Sequence, residues 1–117
     1  MRITQVEMRN VMLFGDRLEL KTVNEGINAV RTTAGAALID IRPKSEYAKG
    51  HVKDAINIPY NRIDLAVNRL RDKDALYYVC GDYNHRPKKY LKEFKKYGFT
   101  NIHSCGFMED HKVKPLG

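Results

Sequence analysis

One cysteine stands where a sequence can place a nucleophile. Cys80 follows the apolar, β-rich run 75–79 and precedes a polar loop at 81–86, after which Pro87 opens a strong helix pattern. A thiol between the carboxyl end of a strand and the N-terminus of a helix meets backbone N–H groups and the positive end of the helix dipole. Both favour the thiolate and lower the pKa of a cysteine. The other interpretation is a small buried hydrophobe, and position alone leaves both open.

Alternating strand and helix patterns must position this cysteine. Strands are predicted at 36–41, 55–58, 75–80 and 101–105, and helical segments at 22–32, 45–50, 63–70 and 87–97. Strands that alternate with helices predict an α/β fold with a parallel sheet between two helical layers. Ligands bind such sheets at the carboxyl ends of the strands, where Cys80 lies. Residues 1–21 fit this pattern poorly and are predicted to be an N-terminal arm or hairpin, with the domain proper at 22–117.

Composition limits the classes of protein to consider. The chain has 117 residues, 43% of them hydrophobic, which predicts one domain with its own core. Cys80 and Cys105 are too few for a disulfide framework, so free thiols in a reducing cytoplasm are expected. The sequence has no apolar run of membrane-spanning length and no secretory signal pattern.

The net charge of +7 is concentrated near the loop, since residues 86–96 carry six Lys or Arg residues against one acid. Two explanations of this basic segment remain open. It is either the solvated face of one helix or the source of an electrostatic field that draws small anions toward the Cys80 loop. No stacking pattern or recognised motif supports nucleic-acid binding. His103, Cys105 and His111 lack the paired spacing of a metal site, so neither a metal nor a cofactor is predicted.

Residues 38–59 resemble the rhodanese (sulfurtransferase) homology domain. They read L-I-D-I-R, then E-Y, G-H-V and D-A-I-N-I-P, against a family pattern of L-I-D-V-R, E-Y/F, G-H-I and G-A-I-N-I-P. A second block agrees: an apolar strand ending in cysteine, a polar loop, a helix, and G-F-T-N-I at 98–102. The resemblance covers about residues 22–107. It implies a three-layer α/β/α fold with a central, mostly parallel sheet of about five strands.

The resemblance also implies a reaction and its residues. Cys80 would accept sulfane sulfur from a small anionic donor, carry it as a persulfide and pass it to a thiol or protein acceptor. This chemistry needs a thiolate, a ring of N–H donors and a nearby positive charge. The residues implied for substrate or anion binding are Gly81, Asp82, Tyr83, Asn84, His85, Arg86 and Arg42.

The loop departs from the family pattern C-x-x-G-x-R-S. Tyr83 stands in place of the glycine and His85 in place of the arginine, with Arg86 one position later. Tyr83 is therefore expected to bear a steric cost, because glycine adopts positive φ and tyrosine does so poorly. The closing pattern G-G-x-x-x-W is degraded as well, since the chain has no tryptophan.

Two other functions remain open. Cys80 and Arg86 have the spacing of the rhodanese-related phosphatases and arsenate reductases, Cys, five residues, Arg. However, Gly98 lies eighteen positions past Cys80 as in ordinary rhodanese domains, which favours a loop of ordinary length, and Pro87 offers no N–H to an oxyanion. The remaining alternative is a catalytically silent binding or regulatory module whose loop binds a protein or a small anion.

Overall fold

A four-stranded parallel sheet organises the computed structural model, which describes residues 19–111. The strands are β1 (Ala37–Asp40), β2 (Ile56–Asn57), β3 (Tyr77–Gly81) and β4 (Ile102–Phe107), in the spatial order β2-β1-β3-β4. The helices are α1 (Val23–Arg31), α2 (Lys44–Lys49), α3 (Ala66–Arg69) and α4 (Pro87–Lys96). Two 3-10 turns, Ile63–Leu65 and Met108–Asp110, complete the described elements.

Local sequence signals set the helix ends. Thr22 caps α1 in a capping box with Glu25, in which each side chain accepts a hydrogen bond from the other residue's backbone N–H. Pro87 occupies the first turn of α4, where its missing N–H has no helical partner to lose. Gly98 follows α4 with φ +98°, a conformation that glycine adopts without steric cost.

The sheet separates two apolar clusters. One packs β-strand side chains such as Ile39 and Val79 against α3 and α4, around Phe94. The other packs Leu38, Tyr78 and Cys80 against α1, around Val23. Successive side chains of a strand point to opposite faces, so the odd and even residues of β3 belong to different layers. This parity decides what surrounds Cys80.

The α/β class, with a parallel sheet between helical layers, is confirmed. The described residues hold four strands rather than the predicted five, although Leu20 donates a backbone hydrogen bond to Ser104 beside β4. The helix predicted at 63–70 begins as a 3-10 turn, and the strand predicted at 101–105 continues to Phe107. Most of the predicted N-terminal arm, residues 1–18, lies outside the described residues.

Candidate functional site

Cys80 is the penultimate residue of β3, not the last residue as predicted. The strand continues to Gly81, and Cys80 pairs with Asp40 of β1. Its side chain is fully buried in the cluster under α1, on the opposite face of the sheet from α4. The thiol therefore does not face the N-terminus of α4, although α4 starts only seven residues later.

The surroundings of Cys80 keep its thiol protonated. A hydrogen bond to Cys105, burial and the charge of Asp40 raise the pKa of Cys80 well above its usual value, while Arg42 opposes the shift. The sequence-based expectation that a helix N-terminus lowers this pKa is therefore wrong for this conformation. The reason is the strand parity, which points the thiol into an apolar layer instead of toward the helix.

The loop after Cys80 is a tight hairpin. Asp82 and His85 form an antiparallel bridge, in which the N–H of each donates to the carbonyl of the other at 3.1 Å. Tyr83 and Asn84 form its tip, and neither has a positive φ. The steric cost expected for Tyr83 is thus absent, because this hairpin does not need the conformation that glycine supplies.

The N–H groups of the hairpin converge on one anionic oxygen. Asp82 Oδ1 accepts hydrogen bonds from the backbone N–H of Asn84 at 3.1 Å and of His85 at 2.7 Å. The ring Nδ1 of His85 donates to the same oxygen at 2.8 Å. Three donors around one oxygen make an anion site, and the protein's own carboxylate fills it.

The tip of the hairpin is fastened to the segment after β4. The backbone N–H of Tyr83 donates to the Glu109 carboxylate at 2.9 and 3.1 Å, and the Tyr83 hydroxyl donates to Asp110. The Tyr83 ring also lies edge-on to Phe107. These contacts involve exposed side chains, so they hold the loop without burying it.

Arg42 connects the loop edge to the centre of the sheet. Its guanidinium forms a bidentate pair with the fully buried Asp40, with Nη2 at 2.7 Å from Oδ2, and also donates to the carbonyl of Gly50. Burial opposes the charge, but the hydrogen bond and charge of Asp40 outweigh it and raise the pKa of Arg42. The Asp82 carboxylate, and the Cys80 thiolate when it forms, act in the same direction. Arg42 therefore stays cationic within electrostatic range of both residues.

The side chains of His85 and Arg86 pack against different aromatic rings. The His85 ring packs against Tyr60 with centroids 4.2 Å apart. Arg86 is exposed at the N-cap of α4, with its guanidinium 5.2 Å from the centre of the Phe107 ring. The Cys-to-Arg spacing of the phosphatase alternative thus does not bring Arg86 to the hairpin donors, since Arg86 lies against Phe107.

The sequence analysis did not identify several residues that shape this site. Tyr60, Glu109 and Asp110 carried no motif that could identify them. Cys105 was visible only as a second thiol. Their roles depend on which strands are neighbours, because β3 and β4 bring residues 80–85 beside residues 105–110.

Two other combinations considered from the sequence are separate in space. Asp40 pairs with Arg42, whereas His51 stacks on Tyr47 and donates from Nδ1 to its carbonyl at 2.9 Å, so these groups form no dyad. Across residues 19–111 no cluster of three or more His, Cys, Asp or Glu side chains could hold a metal ion. None of the helices in that range has the length and apolar character that a bilayer crossing requires.

Comparison with known proteins matches this architecture. The Rhodanese-like domain family matches residues 20–109. The chain is 33% identical over 76 residues to the thiosulfate sulfurtransferase PspE of Escherichia coli, covering 62% of this chain and 70% of that one. It is 28% identical over 65 residues to the putative sulfur carrier protein YrkF of Bacillus subtilis. That match covers 56% of this chain but only about a third (35%) of the Bacillus protein's length.

Solved structures agree on the fold. A rhodanese with anions from E. coli superposes with a TM-score of 0.59 at 22% identity, covering 68% of this chain and 94% of the other. The BH2092 protein of Bacillus halodurans superposes with a TM-score of 0.61 at 19% identity, covering 89% and 76%. A family match over most of the chain, with the same sheet and helical layers, leads to one conclusion: the chain belongs to the rhodanese-like domain family.

Proposed function

We propose that the protein is a sulfurtransferase, which moves sulfane sulfur from an anionic donor of thiosulfate or persulfide type to a thiophilic acceptor through a persulfide on Cys80. The observation that carries the proposal is the convergence of three N–H donors on one anionic oxygen, two residues after Cys80. The similarity to a thiosulfate sulfurtransferase supports the class of donor. The two free thiols are consistent with work in a reducing cytoplasm.

The proposed reaction has two displacements. The Cys80 thiolate attacks the outer sulfur of thiosulfate, the S–S bond breaks, and sulfite leaves with the bonding electron pair. An acceptor thiolate, or cyanide in an assay, then attacks the outer sulfur and returns Cys80 as a thiolate. Arg42 favours the thiolate, because its positive charge lowers the pKa of Cys80, whereas burial and the neighbouring Cys105 and Asp40 raise it.

A donor anion must replace the Asp82 carboxylate to use the hairpin donors. The backbone N–H groups of Asn84 and His85 would then turn from Asp82 to the charged end of the donor. Hydrogen bonds to a charged group contribute about 1.5–3 kcal/mol each, so an incoming anion recovers what the carboxylate loses. Binding of the donor and opening of the hairpin are therefore coupled in this proposal, and opening also gives the buried thiol access to the donor.

A second candidate is a rhodanese-fold module that binds a partner without transferring sulfur. It is favoured by two specific observations, the complete burial of Cys80 and the filling of the anion site by Asp82. In such a module the hairpin would be a rigid recognition loop that presents Tyr83, whose side chain is among the exposed large hydrophobic groups.

Intact-protein and peptide mass spectrometry after thiosulfate treatment separates the two candidates. Sulfur transfer predicts a Cys80 peptide heavier by one sulfur atom, trapped by rapid alkylation, and thiocyanate production when cyanide is the acceptor. Cys80→Ser should abolish both signals. Asp64→Asn is the matched control, because it alters an exposed Arg62–Asp64 pair away from the loop and should behave as the unaltered protein.

Two outcomes would contradict the sulfurtransferase. One is an unmodified Cys80 in every form of the protein, and the other is thiocyanate production that survives Cys80→Ser. Slow alkylation of Cys80 together with the first outcome would establish the binding module instead.

A further inference from the structure

Cys105 of β4 lies opposite Cys80, at the point where the pairing of β3 with β4 is irregular. Val79 pairs with Ser104 and Gly81 with Phe107, so a single residue of β3, Cys80, stands opposite two residues of β4, Cys105 and Gly106. This is a β-bulge, which re-aims a side chain at a defined position. Cys105 lies opposite Cys80 and belongs to the same buried layer, so the two thiols are neighbours.

The packing around Cys105 reserves space for its sulfur. A Cβ placed on Gly26 of α1 would come within 2.8 Å of Cys105 Sγ, so the helix approaches the thiol at a residue that has no side chain. A Cβ on Gly106 would come within 2.6 Å of the Lys21 carbonyl oxygen, so the chain before α1 crosses the bulge closely. Cys105 is thereby held closely against α1, in the buried cluster that also contains Cys80.

Cys105 also differs from Cys80 in its access to the surface. It is 3% exposed and lines a cleft of about 380 Å³ together with Arg86, Pro87 and Lys88, whereas Cys80 is fully buried. A reagent that enters this cleft therefore reaches Cys105 before it can reach Cys80.

The contact between the thiols decides which sulfur of a persulfide Cys105 would meet. A persulfide on Cys80 has an inner sulfur, which is Sγ itself, and an outer sulfur, which comes from the donor. Because Cys105 lies opposite Cys80 in the same buried layer, its thiol adjoins Cys80 Sγ, and its nucleophilic attack falls on the inner sulfur. Attack there forms a disulfide and expels the outer sulfur, whereas attack on the outer sulfur would only move the persulfide.

We propose that Cys105 resolves the Cys80 persulfide, so that the protein reduces sulfane sulfur to hydrogen sulfide and ends as a Cys80–Cys105 disulfide. The proposal rests on the sulfurtransferase function above. A bond forms between the two Sγ atoms, and the bond from Cys80 Sγ to the outer sulfur breaks. The outer sulfur leaves with that electron pair and takes the persulfide and Cys105 protons as H₂S. Two thiol-level sulfurs are oxidised to the disulfide while the sulfane sulfur is reduced.

A dithiol reductant restores the starting state. One of its sulfurs attacks Cys105 Sγ from the cleft, Cys80 leaves as a thiolate, and the second sulfur of the reductant releases Cys105 and becomes the reductant's own disulfide. The physiological acceptor would then belong to the class of small or protein dithiols. The overall reaction reduces a sulfane sulfur to sulfide at the expense of that dithiol.

The test compares sulfide release and cysteine state after thiosulfate alone. The unaltered protein should release one equivalent of sulfite and one of sulfide, then stop with a Cys80–Cys105 disulfide visible as a cross-linked peptide pair. Added dithiothreitol should restart sulfide release. Cys105→Ser should keep the added sulfur on Cys80 and release no sulfide without reductant. Ser104→Ala, which alters the neighbouring buried residue and keeps both thiols, is the matched control and should behave as the unaltered protein.

The possible failures are distinguishable. If the unaltered protein accumulates a Cys80 persulfide with Cys105 free and no sulfide, the resolving role is overturned while sulfur transfer stands. If neither the unaltered protein nor Cys105→Ser gains sulfur on Cys80, both proposals fall. The measurement on the unaltered protein decides the matter even if Cys105→Ser does not fold.

Discussion

At the scale of single residues, Asp82 determines which anion the hairpin holds. Its Oδ1 accepts from two backbone N–H groups and from the His85 ring, and only 14% of its side chain is exposed. In the proposed function, a substrate anion would compete with this carboxylate for the same donors. The identity of residue 82 would then affect donor binding more directly than the absent loop glycine does.

Replacing Asp82 with alanine should strengthen binding of thiosulfate. Removing the internal acceptor leaves the N–H groups of Asn84 and His85 available, and one hydrogen bond to a charged group contributes about 1.5–3 kcal/mol. We expect the KM for thiosulfate to fall by about tenfold or more in a thiocyanate assay, since 1.4 kcal/mol corresponds to a factor of ten. Asp64→Ala, in an exposed ion pair, is the control. An unchanged or higher KM for Asp82→Ala would show that donor and carboxylate do not share a site.

The raised pKa of Cys80 predicts loss of stability at alkaline pH. A thiol whose pKa is higher in the folded than in the unfolded state holds its proton after the unfolded chain has lost it. Its stabilising effect is complete below about pH 8.5, the unfolded pKa, and is lost as pH rises toward the folded value. In that window the free energy of unfolding should fall by about 1.4 kcal/mol per pH unit.

Urea unfolding at several pH values between about 8 and 10 measures how steeply the free energy of unfolding falls with pH. This range begins near the ordinary pKa of a thiol and ends near that of a phenol. Cys80→Ala should be less stable at neutral pH yet show a shallower alkaline slope than the unaltered protein. Equal slopes would mean that Cys80 does not retain its proton in the folded state.

At the scale of elements, Gly81 couples β3 to the hairpin. A Cβ at this position would clash with the His85 carbonyl oxygen, which accepts the hydrogen bond that closes the Asp82–His85 bridge. The strand can therefore run directly into a tight turn because residue 81 has no side chain. Through this contact, the closed state of the loop depends on the last residue of a strand.

Gly81→Ala should open the hairpin. Overpacking of this kind costs about 1–3 kcal/mol, and the strain falls on the hairpin whose opening is proposed to expose Cys80. We expect faster alkylation of Cys80 by iodoacetamide and a lower free energy of unfolding. Gly50→Ala is the matched control, because a Cβ there meets no atom within 4 Å. Unchanged alkylation in Gly81→Ala would mean that the hairpin does not limit access to the thiol.

At the scale of the whole molecule, the sheet holds two apolar layers together and one buried ion pair crosses its loop edge. Asp40 at the end of β1 pairs with Arg42, and Asn57 of β2 donates to the carbonyls of both residues. The Arg42 guanidinium also donates a hydrogen bond to the carbonyl of Gly50, which follows the last residue of α2. One cation thus joins two strands and a helix end beneath the candidate site.

Replacing Arg42 with alanine should lower stability strongly. Removing one partner of a buried pair leaves Asp40 uncompensated in the core and costs about 3–5 kcal/mol. Arg42→Lys should also destabilise, because an ammonium group cannot reproduce the bidentate geometry. Urea unfolding measures both, and Arg62→Ala, which breaks an exposed pair, should change stability little. A small effect of Arg42→Ala would contradict a stabilising role for the buried Asp40–Arg42 pair.

Much of the fold was predictable because it depends on local periodicity. The apolar run at 36–41 and the helix patterns predicted at 22–32 and from Pro87 placed β1, α1 and α4 within a few residues. The alternation of strand and helix patterns, together with the motif at 38–59, predicted the parallel sheet. The strand count and the 3-10 start of the segment at 63 were not predictable, because they depend on which backbone groups find partners.

The sequence by itself determined the family pattern, the order of elements and the position of Cys80 next to a polar loop. Only the tertiary structure decided what surrounds that cysteine. Cys80 is a residue of β3 and alternates with Val79, so it lies in the α1 layer with Cys105, away from the start of α4. The hairpin fills its own anion site with Asp82. A strand's side chains alternate between opposite faces. Whether Cys80 belongs to the strand or to the loop after it therefore decides what its thiol contacts, and sequence patterns place strand ends only to within a few residues.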